Sequence, residues 1–455
     1  MTARSDVRYI ALAIALTAAF APGTLHGQAA SPDRFAPIRH VNLGGDGAVW
    51  VGFGGQFRTR GEAWENFNFG APATANANDT FVLNRLLVSA DLNVGTHARV
   101  FVQGKSSLSS DRSLLGGRRV SDVDELDVQQ AYAEVQAGAG GGALSLRAGR
   151  QELAFGRERL VSPADWGNAR RTFQGASSAW ANTTSSLTAF WMRPVTVSKY
   201  DLNRGDSSTA FYGAYATRRT ARANVGIDAY WMRLDRKGAA INGTVGQEQR
   251  HTVGARVWGP LRAGGRFDYD VEAAAQLGSI ADTNAIRAGF VAGQIGYAMP
   301  ALRGARLYTG LDYGSGDRAP GGNVGTFSAL FPSPHAYLGF IDVIGRQNAL
   351  DLSAGASASR LWRSLGGQVD VHRFTRVSAG DGIYNKLGVP VVRTGPLANL
   401  PRSIGTELDV TVRYPVNRNL LLSSGWSRFW PGSFIAQSGP SRAINFSYVA
   451  AQYTL

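Results

Sequence analysis

RFDYDVEAAAQL, residues 266–277, decides the fold. Phe267, Tyr269, Val271, Ala273, Ala275 and Leu277 alternate with Arg266, Asp268, Asp270, Glu272, Ala274 and Gln276. Successive side chains of a strand point to opposite faces, so this run has one apolar face and one charged face. It is about twice as long as a typical strand of a soluble domain. It meets the roughly 9–11 residues that a membrane-crossing strand needs. Ionised groups cannot face hydrocarbon, so the charged side must meet water inside a wide, closed barrel.

The pattern recurs on both sides of this stretch. Val51, Phe53 and Phe57 oppose Gln56, Arg58, Arg60 and Glu62. Ala98, Val100 and Val102 oppose Arg99, Gln103 and Lys105. Leu408, Val410, Val412 and Tyr414 oppose Glu407, Asp409, Thr411 and Arg413. Roughly eighteen such segments can be placed. They begin near 50, 80, 96, 124, 143, 171, 185, 208, 222, 249, 266, 284, 304, 348, 365, 404, 418 and 443. Connections alternate between brief turns and long loops. Turns fall at 94–96, 138–142, 182–185 and 415–418. Long loops are expected at 66–79, 106–123, 152–170, 235–248, 314–347, 377–403 and 431–442, and a brief link near 280–284 breaks the rule. Short turns on one side and long loops on the other are the asymmetry of bacterial outer-membrane barrels. Val449, Ala451, Tyr453 and Leu455 continue the alternation to the last residue, in the manner of a terminal strand read by the outer-membrane insertion machinery.

The N-terminal segment fits export. Arg4 and Arg8 precede an apolar run from Tyr9 to Phe20, and Gly27 and Ala29 suit cleavage after Ala29. Residues 1–29 are therefore expected to be a signal peptide, 30–48 a periplasmic segment and 49–455 the barrel. There is no cysteine, and no later apolar run is long enough for a membrane helix. Charged residues are only 18% of the chain, yet the net charge is +14. Four of the 47 basic residues are lysines (Lys105, Lys199, Lys237, Lys386) and the rest are arginines. Arginine stays ionised and offers carboxylates and phosphates a planar fork.

The alternation points Arg58, Arg60, Arg85, Arg99, Arg147, Arg256, Arg266, Arg287, Arg306 and Arg413 into the lumen. Glu62, Asp91, Asp228, Asp268, Asp270, Glu272, Asp312, Asp351, Asp370, Glu407 and Asp409 face the same water. About half of these arginines are expected to act as ties across the wall, because mixed charge in a lumen pairs internally. Arg157, Arg159, Arg170 and Arg171 form a cationic group in the 152–170 loop, expected at the outer mouth, with Trp166 placed for carbohydrate contact. Trp191, Trp231, Trp258, Trp426, Trp430, Tyr313 and Tyr414 suit aromatic girdles.

Four blocks carry a family resemblance. They are GRQELAFGRERLVSPADWGNARRTFQG at 149–175, DYGSGD at 312–317, TFSALFPSPHAYLGFIDVIGRQNALDL at 326–352, and GTELDVTVRYP at 405–415 with WSRFWPGSFI at 426–435. In this order they resemble the alginate-export family of outer-membrane barrels, over nearly all of the chain. Gln174 departs from the family's FDG element, which puts a pore-side carboxylate in doubt, and Leu455 replaces the more usual terminal Phe. The resemblance implies export of an acidic polysaccharide through a charged pore.

Other classes find little support. There is no G-x-S-x-G and no H-E-x-x-H, and the six histidines do not cluster with carboxylates as metal ligands. His335 reads as a loop-packing residue, and His372 stands beside Asp370 without a nucleophile. The Gly138–Gly142 run precedes a strand, so it reads as a turn and not a phosphate loop. Arg204-Gly205-Asp206 reads as a chance tripeptide, and pore placement of the arginines argues against nucleic acid. The expectation is an all-β chain, a single antiparallel transmembrane barrel of about 18 strands in a Gram-negative outer membrane. It is expected to be no enzyme and to need no cofactor or metal. Its preferred role is charge-assisted, anion-selective passage of an anionic polysaccharide; the alternative is uptake of small organic anions or oligosaccharides. Expected partners are membrane lipid, lipopolysaccharide, the insertion machinery and, for an exporter, a periplasmic scaffold.

Overall fold

The computed structural model describes residues 35–455 apart from 46, 73, 221–224, 392, 395 and 396. The expected signal peptide lies outside the described residues, as do residues 30–34 of the expected periplasmic segment. Eighteen long strands form one antiparallel sheet. They are β1 (Val49–Glu65), β2 (Asp79–Val94), β3 (Ala98–Ser109), β4 (Asp124–Ala139), β5 (Gly142–Gln151) and β6 (Phe173–Ala181). β7 (Ser185–Thr196), β8 (Thr209–Arg219), β9 (Gly226–Ile241), β10 (Thr244–Pro260), β11 (Phe267–Ile280) and β12 (Asn284–Met299) follow. β13 (Ala305–Gly314), β14 (Ala349–Trp362), β15 (Leu365–Arg376), β16 (Ser403–Pro415), β17 (Leu420–Pro431) and β18 (Ile444–Thr454) complete the series. Each strand pairs with the next, and β1 pairs with β18 from Gln56↔Thr454 to Glu65↔Asn445, which closes the barrel. Closure leaves no sheet edge to be satisfied in hydrocarbon. Two two-residue strands, Val41–Asn42 and Arg204–Gly205, add onto β1 and β7.

Burial follows the alternation. Along β11, Val271, Ala273, Ala275 and Leu277 are exposed on the outer face, while Asp270, Glu272, Ala274 and Gln276 are buried inside. One expected loop is replaced by strand. Residues 235–248 continue β9 and β10 to a two-residue Asn242-Gly243 turn, both residues having positive φ (41° and 85°). Such a turn matches the right-handed twist of the paired strands. The polar run mimicked a loop because the hairpin carries polar side chains on both faces.

The lumen is not uniformly polar. Phe173, Phe190, Phe211 and Phe290 point inward and pack against Leu153, Leu160 and Val161 of the 152–172 loop and Phe327 of the 315–348 loop. A second cluster joins Phe374, Phe429 and Phe446 of the wall to Leu338, Ile341 and Ile344 of the 315–348 loop and Ile383 of the 377–402 loop. Burying each such ring is worth about 1.5–3 kcal/mol. That is what turns these loops inward: the wall offers them apolar surface that water in the channel would otherwise have to cover.

Candidate functional site: the constricted lumen

The 152–172 loop descends into the barrel and is seized by arginines of β1 and β2. Arg58 donates to the carbonyls of Asp165 (2.8 Å) and Gly167 (2.9 Å), and Arg60 to that of Trp166 (2.7 Å). Arg85, fully buried, donates to the Asp165 carbonyl (3.0 Å) and carboxylate (2.8 Å). Burial by itself would raise the pKa of Asp165, but Arg85, Arg170 and Arg58 outweigh it and hold the carboxyl at about 2. Glu62 takes the Arg60 Nε–H at 2.8 Å. Arg58, Arg60 and Arg85 do point inward as the alternation requires, but their donors hold loop backbone.

The supposed outer-mouth group is likewise inside. Arg159 is buried against Asp270 (2.8 Å) and Glu272 (3.0 Å), charges that raise its pKa against the opposing effect of burial. Arg170 grips Glu152 and Asp165. Arg171 donates to the carbonyls of Ser162, Phe331 and Pro332 and so ties the two inward loops together; burial pushes its pKa down to about 10. Trp166 has the Arg60 guanidinium 3.9 Å over its ring and the His335 imidazole stacked at 3.9 Å, so its faces are not free for a sugar. Of the five residues expected at the outer mouth, Arg157 alone is half-exposed, its Nε 3.8 Å from Asp270.

Among the lumenal set, Arg99 pairs with Asp91 (2.7 Å), Arg147 with Glu134 (2.6 Å), Arg256 with Asp228 (2.7 Å) and Asp270, and Arg306 with Asp268. Arg413 faces the lumen near the end of β16, exposed. Two placements are corrected. Arg287 shares a face with exposed Val291 and stands opposite outward Leu277, because Ile286 and Phe290 take the inner face of β12. Arg266 precedes β11 in the turn after β10, exposed, with its guanidinium 3.4 Å from the Tyr297 hydroxyl. Trp258, expected in a girdle, lies on the same inner face as Arg256, under the guanidiniums of Arg219 and Arg256. Gln174 is exposed on the outer face, opposite Arg193, so the family's Asp at this position is not a pore-side group.

A cavity of about 220 Å³ remains between the inward loops and β12–β15. Arg157, Arg306, Tyr308 and Tyr337 line it, with Asp312, Asp351, Asp370 and His372. The acids are already engaged: Asp312 by Arg346 (2.7 Å), Asp351 by His372 (2.7 Å), and Asp370 by Tyr308 and Gln368. Among the described residues, Arg157 and Arg413 are the predicted arginines facing channel water with no carboxylate at hydrogen-bonding distance. The sequence could not single them out, since alternation reports a face and not whether a loop has claimed it. His335, read as a packing residue, contributes to both the stack on Trp166 and an Asp342 contact (3.2 Å) that anchors the 315–348 loop.

A closed, charged barrel with these blocks can be compared with known proteins. The profile of the alginate export family matches residues 49–449, nearly the whole chain. The chain belongs to the alginate export family. No curated protein sequence matches it. This alginate-export barrel resembles solved Pseudomonas aeruginosa porins in fold. OccK9 (OpdG) superposes with a TM-score of 0.60 at 13% identity, covering 89% of this chain and 98% of that one. OpdK with vanillate gives 0.57 at 12%, and OccK2 (OpdF) with glucuronate 0.53 at 13%, each covering 89% and 98%. The alginate-export barrel is thus an outer-membrane channel of a Gram-negative bacterium, with lipid around it and water within.

Proposed function

We propose that this channel passes small organic anions, carboxylates of about the size of one sugar acid or one aromatic acid, by diffusion and without catalysis. The observation that carries this reading is Arg157: a half-exposed guanidinium at the edge of a cavity whose own acids are already satisfied. At about 220 Å³ the cavity falls below the roughly 300–1,000 Å³ of sites for drug-sized ligands, which favours small solutes. Weak, repeated contacts along Arg157, Arg306 and Arg413 suit transit better than a single tight site. The vanillate and glucuronate held by two structural neighbours are carboxylates of this size, which agrees with the reading.

Export of an acidic polysaccharide is the second reading, favoured by the family match. A polymer thread needs the 152–172 and 315–348 loops displaced, against the Arg58, Arg60, Arg85 and Arg171 ties, and this reading alone calls for a periplasmic scaffold. Planar-bilayer recording separates the two. Anion preference, with block or transport by monomeric uronate or aromatic monocarboxylate, is expected. Cation preference, or transport of long oligouronate in liposomes with exclusion of the monomers, overturns the small-anion reading.

A further inference from the structure

The outer wall carries a polar group on a surface where lipid should lie. Trp231 and Val253 are paired, exposed and face outward. One step further toward the Asn242-Gly243 turn on the same face come Arg233 and His251, also paired across the strands. The Trp231 indole N–H donates to His251 Nδ1 at 3.1 Å. An indole nitrogen can only donate, so Nδ1 is the acceptor and the imidazole proton sits on Nε2. That Nε2–H faces Arg233 Nη1 at 3.5 Å. Two donors converge with no acceptor between them. Asp235 does not fill the gap, since it engages Arg233 through Nε (2.8 Å) and accepts the Tyr212 hydroxyl (3.0 Å).

An apolar groove of about 730 Å³ lies alongside. Ala148, Ala176 and Ala189 line it, Leu146 and Trp191 stand along it, and Tyr212 and Trp231 form its end next to Arg233 and His251. The groove runs up the wall from Val135, Leu146 and Ser178, near the turn-side ends of their strands, to Tyr212 and Trp231 beside Arg233 and His251. Above it, Arg193 lies 5.4 Å over the Trp191 ring and opposite Gln174. An Asp at 174, as in the family's pattern, would pair with Arg193; Gln174 leaves that charge uncompensated from across the strand. Asp206 is near Arg193, but its carboxylate accepts from Ser208.

We propose that this face binds one molecule of lipid A, with a phosphate bridging the Arg233 guanidinium and the His251 Nε2–H and an acyl chain in the alanine-lined groove. A phosphate oxygen supplies the acceptor that the donor pair lacks. The outer leaflet is where a phosphorylated, multiply acylated glycolipid meets such a surface. The site is independent of whatever the lumen carries.

Native mass spectrometry of the full-length barrel in mild detergent tests this, with lipid A, its phosphate-free counterpart and phosphatidylglycerol as probes. Wild type is expected to retain one lipid A, about tenfold more tightly than either other lipid. The double variant R233Q/H251Q is expected to lose that preference for phosphate. Ala148→Phe, which fills the groove, is expected to weaken both forms of lipid A. All these side chains face outward, so heat-modifiable electrophoretic mobility and single-channel conductance should stay as in wild type. Equal retention of phosphate-free lipid A or of phosphatidylglycerol overturns the assignment, as does unchanged lipid A binding in both variants.

Discussion

Arg60 of β1 and His335 of the 315–348 loop both pack on the Trp166 indole, each 3.9 Å from the ring. A wall residue and one inward loop thus grip a second inward loop through a single side chain. The stack holds the constriction at the point where the two loops and β1 meet.

Removing that ring should loosen the loops without dissolving the barrel. Trp166→Ala is expected to cost about 3 kcal/mol, the range for truncating a packed aromatic. Urea unfolding in detergent should report the loss. Single-channel recordings should show larger and noisier openings. Trp166→Phe, which keeps a face for both neighbours, should lie between. A silent Trp166→Ala would show that the arginine ties suffice alone.

Arg85→Ala removes a buried cation and its bonds to the Asp165 carbonyl and carboxylate, leaving the carbonyl to Arg58 and the carboxylate to Arg170. Breaking a buried pair costs roughly 3–5 kcal/mol. Asp165 is half-exposed, so the lower end is expected here. Conductance should rise as the 152–172 loop relaxes, while the preference for anions persists. A fall in selectivity with unchanged conductance would instead make Arg85 a solute-facing charge.

Arg157→Glu should do the reverse. The anion-to-cation permeability ratio is expected to drop several-fold, because no neighbouring carboxylate already neutralises this guanidinium at hydrogen-bonding distance. Unit conductance should change little. Arg287→Glu, on the outer face, should leave the ratio as it was. Equal effects of the two substitutions would refute the placement of charge given above.

Acid should release the 315–348 loop in two steps. Burial holds the His335 pKa below its ordinary value, so the unfolded chain takes up the proton first. Stability is lost as pH falls below about 6.5. Asp342 is held at about 2, where Lys386 (2.7 Å) and His335 prevail over burial. Its contribution, about 2 kcal/mol, is complete above pH ~4 and disappears on the way down to about 2. Tryptophan fluorescence during acid titration should show both steps. His335→Gln should erase the upper one and Asp342→Asn the lower one.

Strand number and direction were legible because a lipid-facing wall imposes a period of two on every crossing segment, and Val271 or Val410 cannot exchange faces with Asp270 or Asp409. The eighteen expected starting points fall within about five residues of the starts of the eighteen observed strands. The 235–248 hairpin was missed because, among polar neighbours on both faces, alternation carries no signal; Asn242-Gly243 was the cue that remained. Arg287 was misplaced because a neighbouring Ala288 and Gly289 leave the parity of β12 ambiguous until Phe290.

Pattern along the chain therefore determined a closed barrel, its orientation of charged faces and its family. It could not determine which charges meet the solute. That choice depends on contacts between Arg58, Arg60 or Arg85 and a loop some eighty or more positions away in sequence, and on aromatic rings that draw loops inward to escape water. A guanidinium's role is set by what reaches it first, carbonyl or channel water, and only the packed tertiary arrangement decides that.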